Sequence, residues 1–273
     1  MFQFLSEEVS DRITRIYGIS GEQMYLIKGT EKAALIDTGC GIGDLKDYIS
    51  RLTGLPVVVL ATHGHLDHAM GAVQFPEVWM SRLDASIYTA HSSLDLRKEY
   101  LESSGRLRGL EDRDFLPAKP LNEYHDLKDG QVFRLGGISI EAVACGGHTP
   151  GSMMFLIPEE KILISGDACC FFTMLQDTSC LTVSEYESNL KTTDRRTAGK
   201  YSAVLMSHGH GMKVPVTLMK NVLEVCKEIE EGKDDRVPFT FLNLNGFVAK
   251  AYSKNYMRTD GGFGNIVYNP DRI

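Results

Sequence analysis

Residues His63-Gly64-His65-Leu66-Asp67-His68 put four metal-ligand side chains into one short stretch of a chain that has only 8 His in 273 residues. In an extended loop His63 and His65, two apart, project to one side and can grip one ion. Asp67 and His68 follow a half-turn on, at the start of the next helix, and point to a second position. Neutral imidazole nitrogen with carboxylate oxygen suits Zn2+, with Fe or Mn as further candidates. The plain alternative is a set of surface loop histidines, which this density of ligand types disfavours.

Three more residues of this kind stand alone. His148 lies in GGHTPGS, where Gly146 and Gly147 permit a sharp turn and Pro150-Gly151 a second one. A lone His at a strand end is more often a hydrogen-bonded structural residue; the other clusters make it a ligand candidate. Asp167 follows the apolar run KILIS. A carboxylate buried there without a partner would be costly, and a pair of cations would remove that cost, with the carboxylate bridging them. His208 ends AVLMS in the same way. His210 competes with it, and His208 is preferred because it comes first after the strand.

The elements that must position these residues alternate strand and helix. Runs 24–28 and 33–37 read as a hairpin around Gly29. Residues 43–53 have helical spacing, with Leu45, Tyr48, Ile49 and Leu52 on one face. Residues 57–61 (VVVLA) read as a strand buried on both faces that runs into THGHLDH. Strands are expected at 138–144, 153–157, 161–165 and 203–206. A helix is expected from Ser184 to about Thr197, with Ser184 and Glu187 as its capping box. Residues 216–231 form an amphipathic helix closed by Gly232. The charged segment 92–114 reads as helix plus loop, and the tail from 239 as strand-like pieces with glycine turns. Four times a buried strand ends and His or Asp follows at once, which is where sheets of this kind gather ligands. The class is α/β. The expected organisation is one domain over 1–273, with a helical insertion at about 92–125 and a short C-terminal extension from about 239.

Composition agrees with a globular chain: 43% hydrophobic, 24% charged, net charge −7. The acidic total gives no footprint for phosphate backbones, so nucleic acid is not an expected partner. No apolar run approaches the roughly 18–20 residues of a membrane helix, and the N-terminus lacks the pattern of a secretory signal. Six cysteines without CxxC or regular spacing read as reduced thiols of a cytoplasmic protein. A small-molecule substrate is expected, and a homodimer through 92–114 or the tail is plausible.

The set THGHLDH (62–68), GGHTPGS (146–152), SGDA (165–168) and SHGHG (207–211), with LIDTG (35–39) before it, resembles the metallo-β-lactamase superfamily. The likeness runs from about residue 13 to 211. It implies an αββα sandwich with the metal site at the edge between two sheets. It implies one metal on His63, His65 and His148, a second on Asp67, His68 and His208, and Asp167 bridging them. Asp37 would orient a ligand histidine from behind, or simply make the DTG turn.

The chemistry implied is hydrolysis of an ester, thioester, lactone or amide by a hydroxide held between two cations roughly 3.5–4 Å apart. Asp67 would orient that hydroxide and pass a proton to the leaving group. Flavin-linked di-iron members have Glu where this chain has His65, and antibiotic-degrading members with a Cys ligand have it where Asp167 stands. Glyoxalase-pathway thioester hydrolases and quorum-signal lactonases share the ligand set, although the tail after Lys233 does not look like the former's helical domain. Two other readings stay open: an iron-dependent sulfur dioxygenase, and a non-catalytic metal-binding member. Cys169 and Cys170 read as small buried residues, with a role near the metal as the alternative. Phe171, Phe172 and Met174 are either core or a substrate wall. Residues 259–269 carry either site groups or a bulged strand.

Overall fold

Short β-branched and apolar runs become strands, and the turns between them set their direction. The computed structural model describes residues 2–209 and 213–273, which fall into two compact units, Met1–Glu141 and Ala142–Ile273.

The first unit opens with β1 (Leu5–Glu8), β2 (Ile13–Tyr17), β3 (Gln23–Lys28) and β4 (Ala33–Ile36), which pair antiparallel in sequence. Lys28 pairs with Ala33 across the expected Gly29 turn. Helix α1 (Leu45–Leu52) follows, with the Asp44 carboxylate accepting from Asp47 N at 2.9 Å. It buries Leu45 and Ile49, each of which stabilises the unit by about 1.5–3 kcal/mol. A helix between β4 and β5 (Val57–Leu60) allows the crossover that parallel pairing needs, and Ile36 pairs with Leu60. Then come α2 (Leu66–Ala69), β6 (Val78–Met80), α3 (Ala85–His91), α4 (Leu94–Ser103) and β7 (His125–Asp126). The sheet order is β1 to β7 in sequence, its last three pairings parallel. The unit ends in a hairpin of β8 (Val132–Arg134) with β9 (Ser139–Ala144), whose last residues begin the second unit. Its core includes Ile16, Leu26, Leu35, Val59, Met70 and Leu101.

In the second unit β10 (Met153–Ile157) and β11 (Ile162–Gly166) form an antiparallel pair across the Pro158–Glu160 turn. After β12 (Thr173–Leu175) and α5 (Val183–Thr197), β13 (Ala203–Met206) returns parallel to β11. Then follow β14 (Val214–Pro215), α6 (Leu218–Glu230), β15 (Val237–Phe241), β16 (Leu244–Val248) and β17 (Ile266–Tyr268). One sheet of this unit carries the order β14-β13-β11-β10-β9, another β12-β17-β16-β15. Helices α5 and α6 pack together over a core that includes Leu163, Val204, Leu190, Val222 and Ile266. The chain past α6 turns at Gly232, whose φ is +65°.

The start of α5 is capped differently from expectation, while α1, β11 and α6 depart from the expected bounds by one or two residues. The capping box of α5 is Thr182 with Glu185, not Ser184 with Glu187. Both pairs fit the S/T-x-x-E pattern. Thr182 Oγ1 accepts from Glu185 N at 3.3 Å and Glu185 Oε2 accepts from Thr182 N at 2.9 Å, which closes the box at Thr182 and starts the helix at Val183. All six cysteines are buried free thiols. Among the described residues no helix is long and apolar enough to cross a membrane.

Candidate metal centre

Each unit collects its own group of ligand-type side chains at the ends of its strands: His63, His65, Asp67 and His68 in the first, His148, Asp167 and His208 in the second.

In the first unit the parallel register of β4 and β5 sets Asp37 beside Thr62, one strand end next to the other. Asp37 has φ +63°, in the left-handed region that Asp tolerates better than most residues. Its carboxylate is nearly fully buried and accepts three hydrogen bonds. Thr62 N donates to Oδ1 at 2.7 Å, Thr62 Oγ1 to Oδ2 at 2.8 Å, and His68 Nδ1 to Oδ2 at 2.8 Å. These partners assign the tautomers. A carboxylate only accepts, so His68 Nδ1 carries the hydrogen and its Nε2 keeps a lone pair. The Thr62 hydroxyl spends its hydrogen on Asp37, so its oxygen accepts from His63 Nδ1 at 2.9 Å, and His63 Nε2 also keeps its lone pair. That is the state of a metal-ligating imidazole whose other nitrogen is tied behind it.

Each Nε2 lies beside a further ligand-type atom. His63 Nε2 lies 3.1 Å from His65 Nδ1. Two nitrogens on one tetrahedral zinc would stand about 3.3 Å apart, so the spacing fits one shared ion. His68 Nε2 is 3.6 Å from Asp67 Oδ2. His63 and His68 are about 1% exposed and Asp67 7%; so deep a carboxylate calls for a compensating positive group.

Surrounding side chains hold this group in place, and sequence reasoning missed them. The Tyr100 hydroxyl, on α4, donates to Asp67 Oδ2 at 2.7 Å. Burial, with Asp67 nearby, raises the Tyr100 pKa well above its ordinary value and keeps it a donor. Asp84 Oδ2 accepts from Gly64 N at 2.9 Å and pins the loop between the two histidines. His91 at the end of α3 stacks on His65, centroids 4.3 Å apart.

In the second unit His148 Nδ1 donates to the Met174 carbonyl at 2.8 Å, so its Nε2 keeps the lone pair as in His63 and His68. Asp167 Oδ2 lies 3.9 Å from His148 Nε2 and 3.3 Å from His208 Nε2, a carboxylate oxygen between two imidazoles. The Gly146-Gly147 turn exists because Tyr186 packs against it. A Cβ on Gly147 would stand 2.2 Å from the Tyr186 ring, and the same tyrosine donates to Ala168 O at 2.8 Å just after Asp167. Asn189 donates to Gly146 O at 2.9 Å. His210 lies outside the described residues.

The remaining candidates are placed as follows. Cys169 and Cys170 are buried, and burial raises both thiol pKa values. Phe171 joins the core. Phe172 sits among Phe239, Tyr252 and Tyr256. Met174 contributes its backbone carbonyl to His148. In the tail, Asn265 bonds Lys250 O and Tyr268 bonds Asp234, so both polar groups are engaged in building the unit.

Residues 18–210 match the family model of the metallo-beta-lactamase superfamily. The chain is 33% identical over 147 residues to the hydroxyacylglutathione hydrolase GloC of Haemophilus influenzae, covering 52% of this chain and 64% of that one. It is 28% identical over 185 residues to the acyl-coenzyme A thioesterase MBLAC2 of Gallus gallus, covering 60% and 63%. The chain thus spans less than two thirds of the length of these curated relatives. Among solved structures it is similar to a metallo-beta-lactamase from Pontibacter korlensis, with TM-score 0.61 and 22% identity over 82% of this chain and 99% of that one. It is also similar to the sec-alkylsulfatase Pisa1 from a Pseudomonas species, with TM-score 0.65 and 14% identity over 83% and 42%.

Proposed function

The chain belongs to the metallo-beta-lactamase superfamily, and on that premise we propose that it is a dinuclear metal-dependent hydrolase of a carbonyl substrate, a thioester before an ester, lactone or amide. The observation that carries this reading is the set of fixed tautomers. Asp37, Thr62 and the Met174 carbonyl each tie up Nδ1 of a histidine and leave Nε2 to face a ligand. Purely structural histidines need no such uniform orientation. The thioester preference rests on the names of the relatives, an acyl-coenzyme A thioesterase and a hydroxyacylglutathione hydrolase.

His63, His65 and His148 would hold one ion and Asp67, His68 and His208 the other, with Asp167 available to both. Zn2+ is the first candidate, Fe and Mn the others. A bound metal pair supplies hydroxide at neutral pH and an electrophile for the carbonyl oxygen. Asp67 orients the attacking water and carries a proton to the leaving group. Asp37, through His68, and Thr62, through His63, hold the imidazoles in a single orientation, so that no reorganisation is needed during reaction. Such a protein acts on a small molecule, and we place it in the cytoplasm.

The test is metal content of never-chelated protein, measured with hydrolysis of a panel of thioesters, esters, lactones and β-lactams. About two transition-metal ions per chain and chelator-sensitive hydrolysis are expected. Absence of bound transition metal refutes the reading; one iron per chain with oxygen consumption replaces it with a sulfur dioxygenase.

A further inference from the structure

Helix α4 brings an unanticipated residue to Asp67. Tyr100 has its hydroxyl 2.7 Å from Asp67 Oδ2 and 3.4 Å from Ser20 Oγ. Ser20 is itself committed: both its N–H, at 2.8 Å, and its hydroxyl, at 2.6 Å, donate to Glu22 Oε2. Glu22 is almost fully buried, and its other oxygen accepts from Cys40 N at 3.2 Å. The hydrogens are therefore all assigned. Ser20 gives its hydrogen to one carboxylate and Tyr100 gives its own to the other. The 3.4 Å contact between the two hydroxyls fixes where Tyr100 sits without competing for that hydrogen, because an anionic acceptor at 2.7 Å outweighs a neutral one at 3.4 Å.

We infer that Tyr100 is a positioning residue for Asp67: its hydroxyl, seated against the Ser20–Glu22 pair, fixes the rotation of the Asp67 carboxylate and thereby the affinity of one metal ion only. The inference rests on the reading of Asp67 as a metal ligand. Asp67 is a short side chain on the four-residue helix α2, and a carboxylate turns about its last bond at little cost. A donor on Oδ2, the same oxygen that lies 3.6 Å from His68 Nε2, removes that freedom and sets where this oxygen stands beside the imidazole. Outer partners of this kind typically change metal affinity by about 10–100-fold. The charged stretch 92–114 thus acquires a role through one aromatic residue on its helix.

Tyr100→Phe keeps the ring and removes the hydrogen bond. Metal titration of the apo protein by calorimetry, with zinc alone as the probe, should resolve two sites in the wild type. In Tyr100→Phe one site should weaken by about 10–100-fold while the other keeps its affinity within about twofold. kcat should fall with KM little changed. Weakening of both sites alike, or of neither, overturns the inference. A second measurement uses the wild type, in case Tyr100→Phe does not fold. The tyrosine ultraviolet band should shift as one of the two sites fills and stay still as the other does; no shift at either site, or a shift at both alike, overturns the inference. If the wild type binds no pair of ions, the metal reading itself falls, an outcome distinct from two intact sites that ignore Tyr100.

Discussion

Replacing Asp37 by asparagine isolates what its charge does for His68. The backbone conformation, φ +63°, is one that Asn adopts as readily as Asp, so no strain is added. Two of the three hydrogen bonds can survive: an amide oxygen in place of Oδ1 still accepts from Thr62 N, and the Thr62 hydroxyl still reaches it, being 3.0 Å from Oδ1. The third cannot. The amide NH2 would face the Nδ1–H of His68 across 2.8 Å, donor against donor, inside a site only 1% exposed at both residues. His68 must then either swap tautomer, which puts its hydrogen on Nε2 and blocks metal ligation, or lose its partner. A hydrogen bond to a charged group is worth about 1.5–3 kcal/mol. That converts to a roughly 10–100-fold loss at the ion held by His68, the same range expected for removing the partner of a ligating histidine. The assay is metal titration of Asp37→Asn beside wild type, with thermal unfolding of both apo proteins. Two sites of unchanged affinity would refute the tautomer argument. So would equal weakening of both, since His63 keeps Thr62 behind it.

Three further outcomes are expected. Asp67→Ala should abolish most hydrolysis and weaken the ion it shares with His68 more than the other, read by metal analysis after dialysis together with steady-state kinetics. Gly147→Ala should lower the melting temperature, because a Cβ 2.2 Å from the Tyr186 ring forces a repacking that costs about 1–3 kcal/mol. Asp260 is held low, at about 2, mainly by its hydrogen bond from Arg258. Its contribution to stability is fully present above the ordinary carboxylate value of 3.8 and is lost as pH falls through about 2, so Asp260→Asn should flatten the acid limb of the stability curve, measured by denaturant unfolding against pH.

What the sequence made legible was local. The run from His63 to His68 announces itself because ligand spacing and the strand before it lie in one short segment. Asp37 was visible as a strand-end residue, and the parallel pairing of β4 with β5 turns that into contact with Thr62. The α/β class followed from the alternation of apolar runs with helical spacing. Other features depended on packing. The link from Tyr100 to Asp67 spans 33 residues and sits on a helix whose apolar pattern is weak, so nothing in the 92–114 stretch marks which face turns inward. Met174 holds His148 through a backbone carbonyl, which any residue would carry. Two equal S/T-x-x-E patterns overlap at the start of α5, and only the reciprocal hydrogen bonds between Thr182 and Glu185 show which one closes. Gly147 could be read as a turn-former; that Tyr186 demands its missing side chain could not.

The cysteines supply the molecule with internal clocks. Each thiol is buried and its ionisation suppressed by that burial, with Cys145 raised to about 12, so an alkylating reagent finds no thiolate until the chain opens. Cys40 belongs to the first unit and the other five to the second. Labelling of Cys40 against labelling of Cys145 or Cys226, followed by peptide mass, therefore times the breathing of each unit separately in unmodified protein, and shows which of them a bound ligand quiets.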